Sequence, residues 1–366
     1  MWKYIMINYN DILNMKPYSM NTQEKNGFLL NILKELTQHH YDNCNEYRRI
    51  LDAIDFRFES LNRVSDFPYI PVRLFKLFEL KSILEKEIVK TMTSSGTTGQ
   101  KVSKIFIDRQ TSKNQTKALT KIVSTYIGNK RSPMIIIDTP SVLRDRNMFS
   151  ARGAGILGFS IFGKDRIYAL NEKMELDTEA IEGFLDKYKG ETIFLFGFTF
   201  IIWLHFYQEL LKKNHNIDLS NGVLFHGGGW KKLLHQSVSR EAFKQKLQEA
   251  TGIMNVHDYY GMVEQTGTIH IECEQGHLHS SIFSDIIIRK PFDFTVVENG
   301  KKGMLQVLSI LPHSYPGHSI LTEDEGVIVG EDDCPCGRSG KYFRILGRIK
   351  NAEVRGCSNT YEQSAK

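Results

Sequence analysis

The 366-residue sequence is poor in proline (9), cysteine (5) and tryptophan (3), and it lacks an apolar run that could cross a bilayer. Its most apolar stretch, Ile193 to Phe206, is about 14 residues, short of the roughly 20 that a spanning helix needs. A small, odd number of cysteines excludes a disulfide scaffold and leaves reduced thiols, metal ligation or catalysis as their uses. No basic block occurs. The 47 Lys and Arg are scattered among 42 Asp and Glu, so the formal charge is only +5 and nucleic acid gains no support as a partner. Asn8, Asn10 and Asp11 interrupt the apolar start of the chain before a signal-peptide core could form. A cytoplasmic protein without a membrane span is therefore expected. Internal repeats and low-complexity linkers are also lacking.

What is present is the composition of a globular chain, 41% apolar and 24% charged, long enough for two or three domains or one large one with additions. Phe28, Leu29, Ile32, Leu33 and Leu36 recur at the helical period, as do Ile50, Leu51, Ile54 and Phe58, so residues 1–90 read as a helical N-terminal region. Beyond residue 91 apolar strand-like runs alternate with amphipathic helices. Strands are expected at Ile105 to Asp108, Met134 to Asp138, Thr192 to Phe196, Val223 to His226 and Met254 to Tyr260. Helices are expected at Thr111 to Ile127, Asp177 to Tyr188, Phe200 to Asn214 and Arg240 to Thr251. That alternation predicts an α/β core with a mainly parallel sheet over 91–278. Residues 279–346 change to short strands with little helix, including Asp285 to Arg289, Gly303 to Ile310 and Gly326 to Gly330, and read as a smaller β subdomain. A short tail, 347–366, follows.

Thr93, Ser94, Ser95, Gly96, Thr97, Thr98, Gly99, Gln100 and Lys101 form a loop of hydroxyls and glycines ending in a cation. Glycines let backbone N–H groups converge, hydroxyls add donors and the lysine adds charge, which suits a polyphosphate. A nucleoside triphosphatase P-loop would end in Gly-Lys-Ser/Thr and open a helix; here Lys104 to Ile107 follows as a strand. By itself such a run is as often a surface loop.

The loop resembles the phosphate-binding segment of the adenylate-forming superfamily, which includes acyl-CoA synthetases, and further motifs follow in that family's order. Tyr259, Tyr260 and Gly261 lead to Glu264; the resemblance implies that the tyrosine region lies near adenine and that Glu264 holds Mg²⁺. Gly227, Gly228 and Gly229 after a strand resemble the glycine turn beside the adenine, and Asp324 resembles the aspartate that holds the ribose hydroxyls. Gly347-Arg348-Ile349-Lys350 resembles the segment in which Arg348 contacts the nucleotide and Lys350 is the hinge. The resemblance implies the large-domain fold of these enzymes and ATP as co-substrate.

Cys334-Pro335-Cys336-Gly337-Arg338, with Cys273 and His279, is similar to the phenylacetate-CoA ligase branch. Three thiols and an imidazole also form a plausible structural Zn²⁺ set, with His277 open as an alternative ligand. Pro140 to Gly155 and Val354 to Asn359 resemble the acyl-protein synthetases of bacterial luminescence. That resemblance implies activation of a long-chain fatty acid to an acyl-adenylate, transfer to Cys357, and delivery to a protein acceptor such as an acyl reductase or carrier protein. Most of the superfamily continues past the Gly-Arg hinge into a mobile domain with a catalytic lysine; the expectation here is that this domain is missing. Cys357 on a tethered tail would be the intramolecular nucleophile, with Glu264 and Lys101 serving the adenylation. The aromatic segment Phe194 to Phe206 with Ile156 to Phe162 is the candidate wall of an acyl tunnel, or ordinary core. Two rivals stay open: a ligase joining another carboxylic acid to CoA or a carrier protein, and an ATP-binding subunit that has lost the chemistry.

Overall fold

A computed structural model of the chain describes residues 8–94, 101–144, 151–230 and 237–349. In chain order its strands are β1 (Ile70–Pro71), β2 (Lys90–Thr93), β3 (Lys104–Ile107), β4 (Ser132–Ile137), β5 (Gly163–Tyr168), β6 (Ile193–Phe198) and β7 (Gly222–Gly227). They continue with β8 (Asn255–Gly261), β9 (Ile269–Ile271), β10 (Leu278–His279), β11 (Ser284–Arg289), β12 (Lys302–Ser309), β13 (Ser319–Glu331) and β14 (Lys341–Arg348). The chain divides into two units, each assembled from separated stretches. Among the described residues, 8–94, 101–124 and 261–349 make the first, and those within 125–260 make the second. Periodicity cuts a chain only into consecutive segments, so boundaries at 90 and 278 do not mark these units.

In the second unit β5, β4, β6, β7 and β8 lie side by side, all parallel, with Ile135 opposite Leu195, Leu195 opposite Leu224 and Leu224 opposite Val256. Both faces of a parallel sheet are covered, which is why β4, β6 and β7 read as unbroken apolar runs. Every residue of these three strands is buried. Strand β5, Gly-Lys-Asp-Arg-Ile-Tyr, is polar and half-exposed, and the apolar pattern gives no sign of it. The helix expected at Phe200 to Asn214 is present, but Ile202–Tyr207 within it is wound as a π-helix.

In the first unit the order is β10-β14-β13-β12-β11, all antiparallel, and β1 runs parallel to the start of β13 with Ile70 opposite Ile320. Helix Thr22–Asn43 starts from a capping box in which Asn21 accepts from Glu24 N–H and Glu24 accepts from Asn21 N–H. It buries Leu29, Ile32, Leu33 and Leu36, the expected apolar stripe. The next helix, Asn45–Ala53, stops before Ile54, which is 61% exposed, so the second stripe is shorter than its sequence period. Lys25 and Lys341 both reach the fully buried Asp285, at 2.9 and 2.7 Å, and tie helix to sheet. Burial alone would raise the Asp285 pKa, yet the two ammonium groups hold it at about 2. Lys25 is itself pushed below its ordinary value by burial.

One expected strand belongs elsewhere. Residues 104–107 pair antiparallel with β2 in a separate two-stranded ribbon, Thr93 opposite Lys104, and take no part in the parallel sheet.

Candidate active site and metal centre

The ribbon β2–β3 presents the hydroxyl-rich loop at its turn. Ser94 N–H donates to Ser103 O at 3.2 Å and Ser103 N–H donates to the Ser94 hydroxyl at 2.9 Å, closing the neck of the loop. Thr93 ends β2, and Lys101 is exposed on the far side of that neck. Ser95, Gly96, Thr97, Thr98 and Gly99 lie outside the described residues, as do Lys350 and Cys357.

Glu264 stands in the first unit on the short 3₁₀ turn Val263–Gln265 and is 3% exposed. Gln265 anchors this turn by donating from Nε2 to Val307 O at 3.1 Å and Gly317 O at 2.8 Å. A Cβ on Gly317 would lie 2.7 Å from Glu264 O, so the approach of the two segments depends on glycine there. Tyr315 is fully buried; burial first, and the Glu264 charge second, raise its phenol far above the ordinary range. A carboxylate held on a rigid, buried turn is the oxygen donor that Mg²⁺ prefers. Gly261, at the end of β8, begins this stretch of the first unit.

Asp324 and Arg348 meet directly. They are opposite one another on β13 and β14, and Arg348 Nε is 3.5 Å from Asp324 Oδ1. Glu323 is also within 3.7 Å of Arg348 and forms a close ion pair with Arg73. Sequence reading passed over Glu323 although it adjoins Asp324. Ile349 N–H still bonds to Glu323 O, so the ladder continues to the last described residue.

In the second unit Gly227 ends β7 beneath the ring of Tyr259. An added Cβ would sit 2.6 Å from a Tyr259 ring carbon, which makes glycine a packing requirement there, and Gly228 follows at φ +75°. Among the described residues nothing lies within 4 Å of where a Cβ on Gly229 would sit. The Thr199 hydroxyl donates to Gly227 O at 3.2 Å and lies 2.9 Å from His226 Nδ1, bracing the turn from the neighbouring strand end. Tyr260 is the last described residue of this unit. A further pair went unseen in the sequence: Arg152 opens helix Ala151–Ser160 and grips Asp138, just past β4, with both side chains fully buried. The signal was present, since Arg152 lies within the stretch Pro140 to Gly155 that carried the resemblance.

The proposed tunnel walls are mutually packed. Phe159 stacks on Phe196 at 4.4 Å and meets Tyr259 at 5.1 Å, while Phe194, Phe196, Phe200 and Phe206 are at most 1% exposed. These rings fill core. A cavity of about 450 Å³ in the first unit, bordered by Asn26, Arg63, Ile287 and Lys341, contains none of the site residues named from sequence.

Cys273, His279, Cys334 and Cys336 converge, with one ligand atom from each lying within 4.8 Å of all the others. Cys273 and Cys334 sulfurs are 3.9 Å apart, and Cys336 Sγ is 3.3 Å from His279 Nε2. Burial, then the charge of Arg338, push His279 down to about 4, so its ring is neutral. Burial also pushes the Cys334 thiol up to about 12. At Cys336 burial works in the same direction but is outweighed by hydrogen bonds from Arg338 and the two other thiols, which bring it below the ordinary range.

The sequence is 23% identical over 361 residues to a long-chain-fatty-acid–luciferin-component ligase of Vibrio harveyi, covering 95% of this chain and 91% of that one. It is 24% identical over 359 residues to the protein of the same name from Aliivibrio fischeri, covering 95% and 92%. In three dimensions it resembles 2-hydroxyisobutyryl-CoA ligase, solved in an open conformation with 2-HIB-AMP and CoA, at a TM-score of 0.69 and 17% identity over 92% of this chain and 77% of that one. The likeness in structure shows that the two chains share an α/β fold. The model of the acyl-protein synthetase family, LuxE, matches residues 6–365, and the chain belongs to that family.

Proposed function

We propose that this protein uses ATP to activate a long-chain fatty acid and passes the acyl group to a protein thiol. The observation that carries the reading is the match to the acyl-protein synthetase family over residues 6–365. The rigid turn at Glu264 and the Asp324–Arg348 pair support it. In the first half-reaction a carboxylate oxygen of the fatty acid attacks the α-phosphorus of ATP, the bond to the bridging oxygen breaks, and pyrophosphate leaves. Lys101 and the hydroxyls of Thr93 to Thr98 take phosphate oxygens, Gly227 to Gly229 with Tyr259, Tyr260 and Gly261 take the adenine, and Asp324 and Arg348 take the ribose and its neighbouring phosphate. Mg²⁺, when bound by Glu264, supplies charge neutralisation on the phosphates. In the second half-reaction the Cys357 thiolate attacks the acyl carbon, a thioester forms and AMP departs. Lys350 serves as the hinge for the tail that bears Cys357, and the acyl group then moves to an acceptor protein.

Thiolates of this kind persist in a reducing compartment, which supports a cytoplasmic location. Among the described residues no helix is long and apolar enough to cross a membrane. The cluster of Cys273, His279, Cys334 and Cys336 is the proposed place for zinc. The test of the function is exchange of labelled pyrophosphate into ATP. It should require a long-chain fatty acid, and no exchange with any carboxylic acid would overturn the reading. Full turnover by a Cys357→Ser variant with CoA or a carrier protein would instead favour a thioester ligase with an external thiol.

A further inference from the structure

Zinc bound to three thiolates at about 2.3 Å and one imidazole at about 2.0 Å in a tetrahedron sets sulfurs roughly 3.8 Å apart and sulfur from nitrogen roughly 3.5 Å. The observed separations of 3.9 Å between Cys273 and Cys334, and 3.3 Å between Cys336 and His279, bracket those values. At 3.9 Å the two sulfurs are far outside disulfide bonding distance. Four protein donors fill every tetrahedral position, which is the pattern of a closed, structural site.

Two histidines border the cluster, and hydrogen bonding separates their roles. Arg344 Nη2 donates to His277 Nε2 at 3.3 Å, and a guanidinium can only donate. With Nε2 accepting, the ring proton sits on Nδ1, which faces Cys334 Sγ at 3.6 Å and donates to it. His279 Nε2, by contrast, points among the sulfurs. Gln275 N–H also donates to Cys273 Sγ at 3.4 Å, and Arg338 sits beside the cluster in an ion pair with Glu274 at 2.6 Å. These donors lie where the charge of bound thiolates would need them.

The four donors come from two hairpins. Cys273 and His279 flank the turn between β9 and β10, downstream of Glu264, and Cys334 and Cys336 lie in the turn between β13 and β14, the hairpin that carries Asp324 and Arg348. The sheet joins β10 to β14 through only two residue pairs, Leu278 with Phe343 and His279 with Tyr342. So short a ladder is a weak tether. We infer that zinc bound by Cys273, His279, Cys334 and Cys336 clamps these hairpins together and fixes β14, the strand that ends in Arg348, with His277 donating to the Cys334 sulfur outside the metal. This rests on the reading of the cluster as the zinc site and not on the acyl-activation chemistry.

The test is native mass measurement of the full chain purified under reducing conditions, with amide hydrogen exchange on the same samples. The wild type should carry one zinc, His277→Ala should retain it, and His279→Ala and Cys334→Ser should lose it. In the zinc-free variants exchange over 341–348 should accelerate on the order of tenfold or more, while exchange in β4 and β6 stays unchanged. A Co²⁺-loaded wild type should show the visible bands of a tetrahedral thiolate site, a readout that does not depend on a variant folding. A metal-free wild type, a Cys273–Cys334 disulfide, retention of zinc by His279→Ala, or unchanged exchange in β14 would each overturn the inference. Zinc loss without loss of pyrophosphate exchange in the wild type, or zinc without that exchange, tells the failure of one reading from that of the other.

Discussion

Replacing Arg152 with alanine would leave the Asp138 carboxylate buried without its cation. Asp138 is 0% exposed; it accepts from Arg152 Nε at 2.7 Å, from Arg152 Nη2 in a shorter contact, and from Thr139 N–H at 2.6 Å. Removing one partner of a buried ion pair costs about 3–5 kcal/mol, because the remaining charge keeps its desolvation penalty. That is a change on the order of a hundred- to several-thousand-fold in the unfolding constant. Two units make a single global value ill-defined, so the probe must be local. With Trp2 replaced by phenylalanine, the tryptophans left are Trp203 and Trp230, both in the second unit, and their fluorescence in urea reports that unit. The double variant Asp138→Asn, Arg152→Met removes both charges and should recover most of the loss. An Arg152→Ala cost below about 1 kcal/mol, or a double variant no better than the single one, would refute the reasoning.

Three further outcomes follow from the geometry. Glu264→Gln should lower fatty-acid-dependent pyrophosphate exchange on the order of 10²- to 10³-fold with little change in melting, and unchanged exchange would remove Glu264 from the reaction. Gly227→Ala, whose Cβ would press on the Tyr259 ring at 2.6 Å, should raise the KM for ATP and destabilise the second unit by about 1–3 kcal/mol; wild-type values in both assays would contradict the packing argument. Asp285 titrates near 2 in the folded chain against 3.8 ordinarily, so its stabilising effect is full above about pH 4 and is lost as the pH falls towards 2. Melting temperatures of wild type and Lys341→Met across that window should converge on acidification; parallel curves would show that the ion cluster contributes nothing there.

The sequence was most legible where one local pattern fixed one environment. Buried parallel strands show themselves as apolar runs, and the 3.6-residue period marks the apolar stripe of Thr22–Asn43, though not its ends, and both ends of Arg240–Thr251. Cys334 and Cys336 could be paired with Cys273 and His279 because donor chemistry narrows the choice, although the distances needed the fold. Long-range register was not legible. Nothing local to Thr322-Glu323-Asp324 tells that Arg348 will lie opposite, or that β13 runs through this polar stretch for 13 residues. Nor does an isolated Asp138 disclose its partner 14 positions on, since burial of a charge is decided by the packing of the helix that brings Arg152 to it. Aromatic richness left two readings of Phe194 to Phe206, tunnel wall or core, because apolarity suits both; the ring-to-ring packing of Phe159, Phe194, Phe196 and Phe225 needed the fold.

The central claim, that a carboxylic acid activated by ATP ends as a thioester on this chain, is tested most directly by intact-protein mass after incubation with ATP, Mg²⁺ and a series of fatty acids. The account predicts a single acyl adduct, dependent on ATP, released by hydroxylamine and absent from Cys357→Ser. No adduct with any acid, or one that persists without Cys357, would contradict it.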